Sequence, residues 1–83
     1  MDSNEQRALD LYKRAVDSFE FAAVAVAEGN SLMALGLAEA GLSFINEALP
    51  LVQSPKGRGI LTESQAFWTL EILRLEEALD LKP

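Results

Sequence analysis

The chain has 83 residues, so it forms one domain with a single core, because a chain this short buries only about 60–65% of its unfolded surface. It is 49% hydrophobic and 24% charged, which is too apolar for a disordered segment, and its net charge of −6 disfavours direct binding to nucleic acid or anionic membranes. It contains no cysteine and no histidine, which excludes disulfides, Cys/His zinc sites and imidazole catalysis, so we expect a protein that is not an enzyme and has no cofactor or metal.

A first helix is predicted over residues 3–28, because apolar side chains recur there at alternating steps of three and four. Charged residues occupy the opposite side, so we expect one face to be buried and the other to face water. Gly29 and Asn30 then stop the helix. Two apolar side chains, Phe21 and Val24, fall on the otherwise polar side. The members of the apolar stripe are Ala8, Leu11, Ala15, Phe19, Ala22 and Val26.

Residues 19–37 also admit a different interpretation, which is two short strands around a turn at E-G-N-S. The helical interpretation is favoured because this segment is rich in alanine, which stabilises helices and is depleted in strands. We therefore predict a hairpin of two helices.

A second helix is predicted over residues 31–49, with Asn30 or Ser31 as its N-cap and Pro50 at its end. More than half of its circumference is apolar, so we expect it to be the central element. Gly36 and Gly41 each cost about 1 kcal/mol relative to alanine inside a helix, and close approach of a neighbouring helix would offset that cost.

The stretch of residues 30–52 is apolar enough to raise the question of a membrane span. We predict a soluble core helix instead, because the stretch contains two glycines and a proline, lacks basic flanks, and carries Glu39 and Glu47 on one exposed edge. Since the N-terminal residues are polar and show no apolar signal segment, we expect a cytoplasmic protein.

Residues 53–61 are predicted to be a loop, because they contain a proline and two glycines. Lys56 and Arg58 are unopposed positive charges within this segment. An anion-binding loop is the alternative, but the spacing of a phosphate-binding loop and a preceding strand are both missing. We therefore expect a solvated linker.

A third helix is predicted over residues 62–81, where Thr62 and Gln65 have the spacing of a capping box. Its apolar residues fall on two nearly opposite faces, whereas a helix in a lone three-helix bundle needs only one such face. The first face consists of Trp68, Ile72, Leu75 and Leu79. The second face consists of Ala66, Leu70, Leu73 and Leu81.

The surplus of apolar surface predicts an interface with another polypeptide, anchored by an aromatic side chain. The sequence leaves one alternative open, in which the third helix is wedged between the hairpin and the loop and uses both faces inside a monomer. The predicted interface residues are Trp68, Ile72, Leu75, Leu79, Phe21 and Val24.

Carboxylates are the only side chains with a conceivable catalytic role, and the densest group is Glu76, Glu77 and Asp80. Paired carboxylates can ligate a divalent ion. We favour a solvated helix flank, because no histidine or further acidic motif completes a metal site.

Residues 22–41 resemble a tetratricopeptide-type helical hairpin, with the small residues Ala22, Gly29, Ala34 and Gly41 where such hairpins pack closely. One unit fits, whereas arrays of this repeat need about three. Residues 8–49 resemble HEPN domains, which share a hairpin with an alanine-rich return helix. Catalytic members of that group use a motif that ends in histidine, so the resemblance implies a non-catalytic relative and assigns no functional residue.

Taken together, the sequence predicts one all-α domain over residues 1–83, a three-helix bundle in which an antiparallel hairpin packs against a third helix and which self-associates. The predicted function is that of a non-enzymatic protein-interaction module or small regulatory protein, which acts through the apolar face of the third helix by forming a homodimer or docking a partner helix. The alternative is an acidic inhibitor that occupies a basic, nucleic-acid-binding surface of another protein, in keeping with the net charge of −6.

Overall fold

A computed structural model describes residues 3–80 as three α-helices joined by short connections. The helices are α1 (Ser3–Ala27), α2 (Ser31–Ala48) and α3 (Pro55–Ala78), and a 3₁₀ helix (Leu49–Leu51) lies between α2 and α3. No strand occurs among these residues. The predicted all-α three-helix bundle is therefore confirmed, and the two-strand interpretation of residues 19–37 is wrong.

The helix α1 buries a single stripe, which follows the predicted one except near its end. There the buried residue is Ala25, whereas Val26 is exposed. The backbone N–H of Asn30 donates to the carbonyl of Ala25, which brings the turn after α1 close to Ala25. The buried members are Ala8, Leu11, Ala15, Phe19, Ala22 and Ala25.

The turn between α1 and α2 lies at the predicted position and is closed by backbone and side-chain hydrogen bonds. The N–H groups of Gly29 and Asn30 donate to the carbonyls of Val26 and Ala25, which is a Schellman arrangement. Gly29 has a φ of +78°, which strains any residue with a Cβ. Asn30 is the N-cap of α2, as predicted, and its Oδ1 accepts from the Met33 N–H at 3.1 Å.

The central element is α2, as predicted, since it packs against both α1 and α3. Gly41 lies directly beneath the ring of Phe19, so that a Cβ at this position would fall less than 3 Å from three ring atoms. The predicted close approach is therefore real at Gly41. It is absent at Gly36, which has nothing within 4 Å. The other small side chains buried in this hairpin are Ala8, Ala15, Ala22, Ala25, Ala34, Ala38 and Ala48.

The segment Ser31–Leu51 is long and apolar enough to cross a membrane, judged by length and composition alone. In the structure it packs between the other two helices, with Ala34, Ala38 and Ile45 fully buried. Glu39 and Glu47 are exposed, as predicted.

The helix α3 begins at Pro55, so the loop predicted over residues 53–61 is wrong for most of its length. Ser54 is the N-cap, and its Oγ accepts from the Gly57 N–H at 3.0 Å. Pro55 occupies the first helical position, where a backbone N–H would have no acceptor within the helix, so proline costs no hydrogen bond there. Ser54 and Pro55 together are thus a start signal that outweighs the two glycines that follow.

The side chain of Arg58 fixes the first turns of α3 to the segment before it. Its Nη1 donates to the carbonyl oxygens of Leu49 at 2.9 Å and Val52 at 3.2 Å. The Leu49 carbonyl also accepts from the Val52 N–H at 3.3 Å, so Arg58 is a second donor to it, and the Val52 carbonyl lies just beyond the 3₁₀ helix (Leu49–Leu51). The guanidinium of Arg58 therefore binds backbone carbonyls of its own chain.

The predicted capping box at Thr62 and Gln65 lies inside α3 instead of at its start. The Gln65 Nε2 donates to Asn46 Oδ1 at 2.8 Å, which links α3 to α2. The last helical residue is Ala78, and Asp80 follows with a φ of +58°. The predicted end of this helix at residue 81 lies outside the described residues.

The core consists of two clusters, which lie at opposite ends of the α2–α3 contact. Leu61 of α3 belongs to the first cluster and Leu75 to the second. These two residues are the only buried side chains of α3. Because Leu61 meets the end of α2 and Leu75 meets its start, α3 runs antiparallel to α2 and parallel to α1. The first cluster comprises Ala8, Leu11, Ala15, Phe19, Ile45, Ala48 and Leu61, and the second comprises Ala25, Ala34, Leu35 and Leu75.

Candidate interaction surface

Apolar side chains lie on two opposite faces of α3, as the sequence predicted, and only one of these faces is covered. The inner face packs against the hairpin and consists of Leu61, Trp68, Ile72, Leu75 and Leu79. The opposite face consists of Ala66, Phe67, Leu70 and Leu73, all of which are exposed. We call these four residues the outer stripe.

An aromatic stack anchors the inner face. The indole of Trp68 lies parallel to the ring of Phe19, with the ring centroids 4.4 Å apart and the planes within 3°. Because Phe19 in turn rests on Gly41, the stack joins all three helices. Further along α3, Leu75 is only 7% exposed and Ile72 is half-buried.

Four of the six predicted interface residues therefore face the core of their own chain, and this part of the prediction needs correction. They are Trp68, Ile72, Leu75 and Leu79. An aromatic anchor flanked by leucines suits a core as well as an interface, so composition does not distinguish the two faces of α3. The space that receives Trp68 exists because Gly41, 27 residues earlier, lets Phe19 lie close to α2.

The other two predicted interface residues, Phe21 and Val24, are exposed on α1. They lie on a different helix from the outer stripe. The structure thus does not gather the six predicted residues on one surface.

The outer stripe was missed as an interface, although its residues were partly identified as the second apolar face. Phe67, Leu70 and Leu73 succeed one another at a spacing of three residues and are 56%, 57% and 52% exposed. The ring of Phe67 meets the indole of Trp68 edge to face, with centroids 5.3 Å apart, so the outer stripe is supported by the core beneath it. Single exposed leucines are ordinary, but consecutive ones on one face form a patch of the kind found at interfaces.

Charged side chains stand at both ends of the outer stripe. Glu63 precedes it and makes no ion pair within residues 3–80. Arg74 follows it and donates through Nη1 to Glu71 Oε1 at 2.8 Å, while its side chain stays 73% exposed. The guanidinium therefore has donors left for a further carboxylate.

The molecule exposes more surface than a compact monomer of its size. Its accessible surface is 5546 Å², whereas about 4900 Å² is expected for 9.1 kDa. Its radius of gyration is 13.5 Å, against about 12 Å for a compact chain of this length. Both values reflect the elongated shape of the bundle, whose extents are 43 × 22 × 17 Å.

An open apolar cleft of about 380 Å³ lies between the start of α1 and the start of α3. Its volume is within the range of small-molecule pockets. The polar side chains at its edge come from Glu5, Gln53 and Ser54, and the Ser54 Oγ is already used as the N-cap acceptor. The apolar side chains that line it are Ala8, Leu9, Tyr12, Val52, Ile60 and Leu61.

The acidic residues do not form a metal site in the part of the chain that the structure describes. No group of three or more aspartate, glutamate, histidine or cysteine residues is placed there to hold an ion. Of the carboxylates singled out in the sequence, Glu76 is half-buried and Asp80 lies beyond the end of α3.

Comparison with protein-family models, curated proteins and solved structures finds no match to this chain. The resemblance to tetratricopeptide and HEPN hairpins therefore remains a prediction.

Proposed function

We propose that this chain is a non-enzymatic protein-interaction module that docks a helix of another polypeptide onto the outer stripe of α3. The observation that carries the proposal is that α3 is apolar on two opposite faces and the hairpin covers one of them. Phe67, Leu70 and Leu73 each keep more than half of their surface in water. Burying that surface against another helix is favourable, because transfer of apolar area out of water drives association.

The shape of the outer stripe favours a helix as the docked element. Its members span two helical turns at steps of one, three and three residues, which gives a narrow ridge and not a deep pocket. An amphipathic helix presents a complementary ridge of apolar residues at the same spacing. The Phe67 ring, which contacts Trp68 edge to face, is the aromatic member of this surface.

Photocrosslinking tests this proposal. A benzophenone side chain replaces Leu70 in one variant and the exposed, polar Ser43 of α2 in a matched control. Irradiation in a native lysate should give a discrete adduct from position 70, identified by mass spectrometry, and none of that mass from position 43. An adduct common to both positions, or none at position 70, would contradict docking on the outer stripe.

A second proposal follows from charge, in which the chain is an acidic inhibitor of a basic, nucleic-acid-binding surface. The net charge of −6 supports it. On the exposed side of α1, however, Lys13 and Arg14 alternate with Asp10 and Asp17, so the acid is not concentrated there. Raising the salt concentration separates the two proposals, because screening weakens an ionic contact and leaves apolar docking in place. The adduct at position 70 should therefore survive high salt.

A further inference from the structure

We infer that the helix docked on the outer stripe is α3 of a second copy of this chain, packed antiparallel across a two-fold axis. This inference rests on the proposed function and specifies its partner and orientation. The first observation that supports it is the regular spacing of exposed residues along α3. The second is that residues of opposite charge occupy matching positions on either side of the centre of this series.

The exposed side of α3 carries a seam of six residues at steps of three, four, three, four and three. These steps are those of a heptad seam, here with three apolar and three charged members. All six residues are exposed, and two of them, Phe67 and Leu70, belong to the outer stripe. The seam consists of Ile60, Glu63, Phe67, Leu70, Arg74 and Glu77.

The seam is symmetric about one point, which lies midway between residues 68 and 69. Phe67 and Leu70 are equally far from this point, and so are Glu63 and Arg74. In an antiparallel pair with its two-fold axis at this point, Phe67 meets the partner's Leu70 and Glu63 meets the partner's Arg74. The axis generates each contact twice, so two apolar contacts at the centre are flanked by two ion pairs, and the outermost seam residues, Ile60 and Glu77, lie opposite each other.

Other arrangements of the same seam bring like charges together. A parallel, in-register pair sets each residue opposite its own copy, so Glu63 faces the partner's Glu63 and Arg74 faces the partner's Arg74. An antiparallel pair centred on residue 70 sets Glu63 opposite the partner's Glu77. Like charges in contact are unfavourable, so the charges select the antiparallel register centred between residues 68 and 69.

Glu63 and Arg74 are both exposed and can reach a second copy. Glu63 makes no ion pair within residues 3–80, and the Arg74 side chain is 73% exposed although it already binds Glu71. A second copy supplies both the missing apolar cover and a counter-ion for Glu63.

A charge swap tests the inference by sedimentation equilibrium over about 1–100 μM protein. The wild-type chain should form a dimer in this range. Glu63→Arg and Arg74→Glu should each weaken the dimer at least about tenfold, because each sets like charges opposite one another at two symmetric positions. The double variant should restore affinity to within about threefold of wild type, because the pairs re-form with reversed signs. Glu39→Arg, an exposed charge reversal on α2, serves as the control and should leave the dimer unchanged.

Disulfide trapping tests the orientation independently, since the chain has no cysteine of its own. Mixed Glu63→Cys and Arg74→Cys chains should cross-link to each other on oxidation. Two Glu63→Cys chains should not, because the antiparallel register places their cysteines about 16 Å apart along the helix axis. Preferential cross-linking of Glu63→Cys with itself would overturn the antiparallel arrangement.

The tests separate this inference from the proposed function. A chain that stays monomeric at 100 μM, or a double variant that fails to regain affinity, would overturn the inference. If position 70 still cross-links to a different protein, docking on the outer stripe survives and only the identity of the partner changes.

Discussion

The α1–α2 hairpin and the helix α3 are held in the bundle by different kinds of contact. The hairpin is packed mainly by small side chains, and Ala15, Ala22, Ala34 and Ala38 are completely buried alongside the larger Ile45. Of the residues described in α3, only Leu61 and Leu75 are buried. Its remaining inner-face contacts come from large side chains that stay half-buried, including the stacked Trp68.

The difference shows which part of the molecule provides stability and which part provides a surface. Small side chains let two backbones approach closely along their whole length, so the hairpin has little freedom to repack. The large side chains of α3 reach the hairpin from a greater distance and leave the helix exposed on its other side. A helix held in this way can present the outer stripe without loosening the hairpin.

Removing a core contact of α3 should have the largest effect on the free energy of unfolding. Leu75→Ala should lower the free energy of unfolding by about 3 kcal/mol, because it leaves a cavity in the second core cluster. Leu73→Ala, two residues earlier on the exposed face, should change it by less than about 0.5 kcal/mol. Urea denaturation of both variants at protein concentrations below about 1 μM, under the range in which the dimer is expected, keeps self-association out of the comparison. A larger effect at Leu73 than at Leu75 would mean that α3 is rotated about its axis.

Adding a side chain where α1 and α2 approach closely, at Gly41, should have the next largest effect on the free energy of unfolding. In Gly41→Ala the new methyl group overlaps the Phe19 ring, so we expect a loss of about 2 kcal/mol. Because Phe19 stacks on Trp68, the tryptophan fluorescence should also shift. The measurement is thermal or urea unfolding with fluorescence and circular dichroism followed together.

Gly36→Ala is the matched control for this change. The same substitution in the same helix meets open space, so it should raise stability by up to about 1 kcal/mol through helix propensity. Equal effects at the two glycines would show that Phe19 does not rest on Gly41.

The hairpin could be predicted from the sequence because its signals are local. The apolar spacing of α1 matches its buried stripe to within one residue, and Gly29 with Asn30 specifies both the helix stop and the next N-cap. The need for a small residue at Gly41 was also anticipated. Its contact with Phe19 was not, since nothing within one helix identifies the side chain on the facing helix.

Two features of α3 escaped the sequence analysis for different reasons. The start was placed too late because Gly57 and Gly59 were read as helix breakers, although Ser54 and Pro55 in front of them are a helix start signal. The inner and outer faces were exchanged because both are apolar. Which face turns inward is decided by the fit of Trp68 against Phe19, a contact between residues 49 positions apart.

Changing the N-cap of α3 should have the smallest effect on the free energy of unfolding. Ser54→Ala removes the acceptor for the Gly57 N–H and should lower the free energy of unfolding by about 1 kcal/mol. Thr62→Ala alters the N-cap predicted from the sequence, but in the structure this residue lies exposed inside the helix. The substitution should therefore leave stability unchanged or raise it by up to about 0.6 kcal/mol, since alanine is the better helix former. If urea unfolding instead shows the loss at Thr62 and none at Ser54, the first two turns of α3 are not helical, and Arg58 cannot hold them against the 3₁₀ helix as described.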